Sequence, residues 1–152
     1  MTHTAIETLL LGDAAAGVTR GCVVLGGRPL AFGLDELREA SARLAPDGVL
    51  AYVVRLDTPI AARLMTLLTL PLRLWNASRV IARDRLVVVG RYGIDPDVTA
   101  PAFIYQLDSA ASRYADRSMR PRGSGHTLRR LLAWWAGCDP ALGAIALVAR
   151  KP

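Results

Sequence analysis

Residues 22–56, CVVLGGRPLAFGLDELREASARLAPDGVLAYVVRL, decide how the fold is read. CVVLGG, residues 22–27, is a continuous apolar run closed by a glycine pair, the pattern of a strand buried on both faces. In DELREASARLA, residues 35–45, Leu37, Ala40 and Leu44 recur at helical spacing. Asp35 and Glu36 sit where the dipole of a helix start favours acid. Pro46-Asp47-Gly48 supplies turn residues that stop this helix. GVLAYVVRL, residues 48–56, then offers β-branched and aromatic side chains for a central strand. Strand, helix, turn and strand make a βαβ unit, and its right-handed crossover implies parallel pairing.

Outward from this unit the chain alternates in the same way. Upstream, AIETLLL (5–11) is a short apolar run that stops at Gly12, as a strand would, and DAAAGVTR (13–20) reads as a connection. Downstream, Thr58 and Pro59 open the apolar segment PIAARLMTLLTLPLRLW (59–75), where Pro71 is expected to kink or end the helix. A second short helix is expected over 78–83, before a third strand, LVVVGRYG (86–93). Residues 94–101 are rich in Pro and Asp and read as loop. A helix is expected from Asp108, another over HTLRRLLAWWAGC (126–138), and a last strand over GAIALVARK (143–151). With no internal repeat and no linker, residues 1–152 read as one domain.

Composition narrows the classes. At 152 residues and 52% hydrophobic, the chain is too apolar for a disordered tail or a collagen-like fibre. It has no uncharged apolar run of the ~20 residues that a transmembrane helix needs. The balance of 19 Lys and Arg against 13 Asp and Glu leaves a net charge of +6, which attracts anionic partners. Only Lys151 is a lysine, so 18 of the 19 are arginines, spread along the chain with no nucleic-acid recognition fingerprint. No specific nucleic-acid role is therefore expected. Cys22 and Cys138 have neither a CxxC partner nor a neighbouring histidine, which gives no metal site. MTHTAIETLLLGD lacks the basic start of a secretory signal, and a cytoplasmic protein is the expectation.

The strand CVVLGG, the helix DELREASARLA, the turn Leu44-Ala45-Pro46-Asp47-Gly48 and the strand that follows it resemble the carboxyl half of class I S-adenosylmethionine-dependent methyltransferases. RLVVVGRYG, FIYQLDS and AIALVAR are similar in layout to that family's last strands and helices. The resemblance implies an α/β, Rossmann-like, mostly parallel sheet with an antiparallel closing strand. It also implies a cofactor loop after the first strand, which places Gly12, Asp13 and Gly17 there, with Gly26 and Gly27 ending the next strand. Between Gly12 and Cys22 there is no room for the rest of a cofactor-binding half, since a βαβ unit alone takes ~30 residues. The expectation is thus a methyltransferase-like pseudoenzyme with no bound cofactor, or weak S-adenosylmethionine binding, serving as accessory partner of a biosynthetic enzyme. An active methyltransferase that completes its site by dimerisation and a basic module for anions or lipid are the alternatives.

Candidate binding residues follow from strand ends and glycine turns. Asp57 and Asp95 (with Asp97) stand after strands, at the edge where open α/β sheets hold ligands, and Arg28 follows CVVLGG. His126 follows Gly123-Ser124-Gly125 among Arg120, Arg122, Arg129 and Arg130, a place for an anion at a helix start. His3, in the terminal stretch, carries little expectation. No Ser-His-Asp or Cys-His arrangement is assembled by spacing, so catalytic residues stay unassigned. An unpaired edge at 5–11 and an apolar face at Leu64, Leu67 and Leu68 suggest a homodimer or a heteromer.

Overall fold

The computed structural model describes residues 21–26, 33–95, 102–107 and 126–152. Their elements run β1 (Gly21–Leu25), α1 (Leu34–Arg43), β2 (Val49–Arg55), α2 (Ile60–Arg83), β3 (Val87–Asp95), β4 (Phe103–Gln106), α3 (His126–Ala136) and β5 (Ala144–Arg150). The five strands form one sheet in the order β1-β2-β5-β3-β4. β1 pairs with β2 in parallel, from Gly21 opposite Val49 to Leu25 opposite Val53. Every other pairing is antiparallel: β5 with β2, β5 with β3, and β4 with β3.

This corrects the mostly parallel, Rossmann-like sheet, and with it the methyltransferase resemblance that implied it. The reason is the place of β5. It inserts between β2 and β3 and runs against both, so two strands of common direction are never neighbours beyond β1 and β2. The stretch β2-β5-β3-β4 is antiparallel throughout. The candidate first strand at 5–11 and the helix from Asp108 lie outside the described residues.

The helices share one face of the sheet. Leu50, Tyr52 and Val54 of β2 and Ile145, Leu147 and Ala149 of β5 meet Leu37 of α1 and Leu67, Leu70, Leu74, Ala77 and Ile81 of α2 in the main core. The alternate residues, Ala51, Val53, Tyr92, Ile94, Ile104, Ala144, Ala146 and Val148, form a second core on the opposite face. Burial on both faces is what β2 and β5 need, because both are apolar without alternation. At the turn into β2, a side chain on Gly48 would place its Cβ 2.7 Å from the Ala45 carbonyl oxygen and from Leu44 Cγ. Glycine is required there by space.

α2 is one helix of 24 residues, with Pro71 inside it. The expected break at Pro71 and the separate helix at 78–83 are corrected. A proline inside a helix costs ~3 kcal/mol, while the buried residues on either side of it, Leu67, Leu70, Leu74 and Ala77, each hold the helix to the sheet. Leu67 is accordingly 2% exposed and faces the core. It does not belong to an outward apolar face with Leu64 and Leu68.

Candidate functional site

β1, β2 and β3 point the same way, so their carboxyl ends share one end of the sheet. Asp57 and Asp95 are both there, on either side of Gly143. The Asp57 N–H donates to the Gly143 carbonyl at 3.0 Å, and the Gly143 N–H donates to the Ile94 carbonyl at 2.9 Å. The Asp57 carboxylate is engaged by Arg55, whose Nε donates to it at 2.9 Å. Asp95 closes the β3–β4 ladder opposite Phe103. Gly26 follows β1, its N–H donating to the Val53 carbonyl at 2.7 Å. Arg63, from the first turn of α2, reaches this end and donates from Nη2 to the Leu142 carbonyl at 3.0 Å. Of the other candidates, Gly12, Asp13, Gly17, Gly27, Arg28, Asp97 and His3 lie outside the described residues. His126 begins α3. Arg129, three residues on in the same helix, forms an ion pair with Asp139 at 2.6 Å.

A second feature went unread in the sequence. A cleft of about 410 Å³ lies between α2, α3 and the strands β3 and β5. Trp75 of α2 and Trp135 of α3 line it, with Pro71 and Leu74 beside them and Val88, Arg91 and Leu147 on the sheet. The Trp135 Nε1–H donates to the Leu68 carbonyl at 3.0 Å, one residue after the carbonyl that Pro71, lacking an N–H, leaves without its helical partner. The Arg79 guanidinium stacks 5.0 Å from the centroid of the Trp75 ring.

α2 also carries a second apolar stripe, which meets the cleft at Trp75. Ile60, Leu64, Met65, Leu68, Leu72 and Trp75 are all exposed, Ile60 at 86%. At about 100° per residue they fall within an arc of about 140°, opposite the side that packs on the sheet. α3 continues the surface with Leu128, Leu131, Trp134 and Trp135, Trp134 being 81% exposed. Neither helix contains an aspartate or glutamate, while Arg79, Arg83 and Arg130 do belong to them.

The deepest charge is elsewhere. Arg73, 1% exposed, lies under α2 with the buried Tyr52 and donates from Nε to Thr69 Oγ1 at 3.1 Å. Burial lowers the Arg73 pKa against a smaller opposing pull from Tyr52. Burial likewise raises the Tyr52 pKa, with Arg73 lowering it and Glu36 raising it by less. Among the described residues no group of three His, Cys, Asp or Glu side chains is placed to hold a metal ion. None of the described helices is long and apolar enough to cross a membrane.

Among the described residues, fold and surface define an α/β protein with one mixed sheet, three helices on one face of it and an outward apolar, cationic helix pair. Neither a protein-family model nor a curated protein matches the sequence. Among solved structures, the [4+2]-cyclase SpnF is similar at 16% identity and a TM-score of 0.36, over 94% of this chain. The chain spans about half of that protein, 53% of its length. A likeness this weak carries no functional argument, and the methyltransferase resemblance finds no support in any of the comparisons.

Proposed function

We infer that this chain acts by binding, and that the outer face of α2 together with α3 rests on an anionic lipid surface. The observation that carries this is a continuous exposed surface of leucines and indoles, bordered by arginines and containing no carboxylate on either helix. Large apolar patches on a protein surface mark interaction sites. Indoles favour the boundary between lipid tails and headgroups, and each arginine near an anionic surface adds about 1 kcal/mol. A net charge of +6 acts in the same direction. Anionic lipid is concentrated in the cytoplasmic leaflet, which fits the cytoplasmic location expected from the sequence. Pairing this face with its own copy would bring two arginine-bearing, acid-free helix surfaces together, a like-charge cost that a lipid surface does not impose.

Cosedimentation with vesicles tests the inference. Binding to phosphatidylcholine vesicles that contain phosphatidylserine should exceed binding to phosphatidylcholine alone, and should weaken as salt rises. Leu72→Glu and Trp134→Ser should abolish it while leaving the far-ultraviolet circular dichroism unchanged. Equal sedimentation with both vesicles, or with neither, would overturn the lipid reading. A light-scattering mass above the 16.3 kDa of one chain, lost in Leu72→Glu, would put a second copy on this face in place of lipid.

A further inference from the structure

We propose that the cleft between α2, α3 and the β3–β5 strands is a binding site for the unbranched acyl chain of a single-chain amphiphile, such as a fatty acid or a lysolipid. The proposal rests on the lipid-surface reading for the direction from which the chain arrives. The volume of about 410 Å³ lies toward the lower end for ligand pockets, which suits one chain better than a two-chain lipid.

The rim of the cleft identifies the source of the ligand. Trp75 and Trp135 line the cleft, and they are also 57% and 52% exposed on the outer apolar surface. Val88, exposed on β3, lines it from the sheet side. The cleft is therefore continuous with the face that α2 and α3 turn outward. Behind this rim, Leu74, Ala136 and Leu147 are buried lining residues, one each from α2, α3 and β5. Indoles favour the boundary between lipid tails and headgroups. An amphiphile in the surface can keep its headgroup at that level while its chain passes between the two rings onto Leu74 and Leu147.

The polar side chains of the described lining are already committed inside the fold. Ser78 donates its hydroxyl proton to the Leu74 carbonyl at 2.7 Å, and the Trp135 Nε1–H donates to the Leu68 carbonyl at 3.0 Å. Arg91 already engages the fold. A chain with neither donor nor acceptor can lie against such groups without leaving one of them newly unsatisfied. Both indoles are also held before a ligand arrives, Trp135 through its bond to Leu68 and Trp75 by the stacked Arg79 guanidinium. Walls ordered beforehand lose less side-chain freedom on binding. The attraction is then burial of apolar surface, which grows with the length of chain taken in.

The test is titration of the full chain with alkyl maltosides below their micellar concentrations, read by calorimetry and by tryptophan fluorescence. Dodecyl maltoside should bind saturably, one per chain, and octyl and decyl maltoside more weakly, by about fourfold for each methylene removed. Ser78→Leu on α2 and Val88→Phe on β3 fill the cleft from two sides. Each should weaken dodecyl maltoside by about tenfold or more while still sedimenting with the phosphatidylserine vesicles, and the second variant serves if the first fails to fold. Leu72→Glu, on the outer stripe, should keep dodecyl maltoside binding even where it abolishes vesicle binding, so the two readings fail separately. Vesicle binding without saturable dodecyl maltoside binding would overturn this proposal and leave the surface reading standing. Undiminished binding in the folded filled variants would also overturn it, by placing the chain on the outer stripe. Tighter binding of 2-naphthalenemethanol than of dodecyl maltoside would overturn the acyl-chain class.

Discussion

Leu67 and Leu68 are consecutive in α2 and should respond oppositely to the same substitution. Leu67 is 2% exposed, packed in the main core with Leu70 and Leu74, whereas Leu68 is 46% exposed on the outer stripe. Leu67→Ala removes buried methyl groups and leaves a void beside the sheet, a loss of about 2–5 kcal/mol. For a chain of this size each kcal/mol lowers the melting temperature by about 2–4 °C, so the midpoint should fall by roughly 4–20 °C. Leu68→Ala leaves the Leu68 carbonyl, the acceptor for Trp135, in place, and should change stability by no more than about 0.5 kcal/mol. Leu67→Glu, at a position the sequence placed on an outward apolar face, should unfold the protein, because a carboxylate would be buried without a partner. Calorimetric melting and urea unfolding of the paired alanine variants measure the difference directly. Equal losses at the two positions would refute the orientation of α2, and with it the outward stripe on which the lipid reading rests.

Two further outcomes follow from the core. Burial raises the Tyr52 pKa above its ordinary 10.0, so the folded state favours the neutral phenol. That stability is fully present below the unfolded value and is lost as pH rises through the folded one, so urea midpoints should hold to about pH 10 and then decline. Tyr92, also raised by burial, contributes to the same decline, and Tyr52→Phe should therefore reduce its slope without removing it. Gly48→Ala forces a Cβ against the Ala45 carbonyl and Leu44, and should cost about 1–3 kcal/mol by chemical denaturation. A neutral Gly48→Ala would show that the turn into β2 can relax.

The local elements were legible where pattern and punctuation agreed. DELREASARLA, bounded by Pro46-Asp47-Gly48, forms α1 over Leu34–Arg43, and the apolar run that follows forms β2 over Val49–Arg55. The sheet order was not legible, for a physical reason. β5 is buried along nearly its whole length, and a strand apolar on both faces reads alike in parallel and antiparallel surroundings. Its insertion between β2 and β3 comes from its neighbours, not from its own residues. Pro71 misled in a similar way, since its local cost is visible in the sequence while the core contacts that offset it are not. Asp57 and Asp95 do reach one end of the sheet, because that placement needs only the common direction of β2 and β3.

The cleft and the outer stripe were harder to read because each draws on residues far apart in the chain. Trp75, Arg91 and Trp135 belong to three different elements, and only the unusual Trp134-Trp135 pair hinted that α3 carried more than a core face. α2 held a stronger signal. A helix that serves one core needs one apolar stripe, about a third of its circumference. Residues 60–75 have two, one through Leu67, Leu70 and Leu74 and the other through Ile60, Leu64, Leu68 and Leu72. In the sequence these merge into a segment apolar nearly all round, which reads as deep burial. The structure separates them, because the sheet lies on one side of α2 only. Exposed leucines and isoleucine bring α2 no core packing among the described residues, and on the proposed lipid reading the second stripe is accounted for by the surface it rests on. The arginines beside it, with no acid on either helix, are what make an anionic surface the proposed partner.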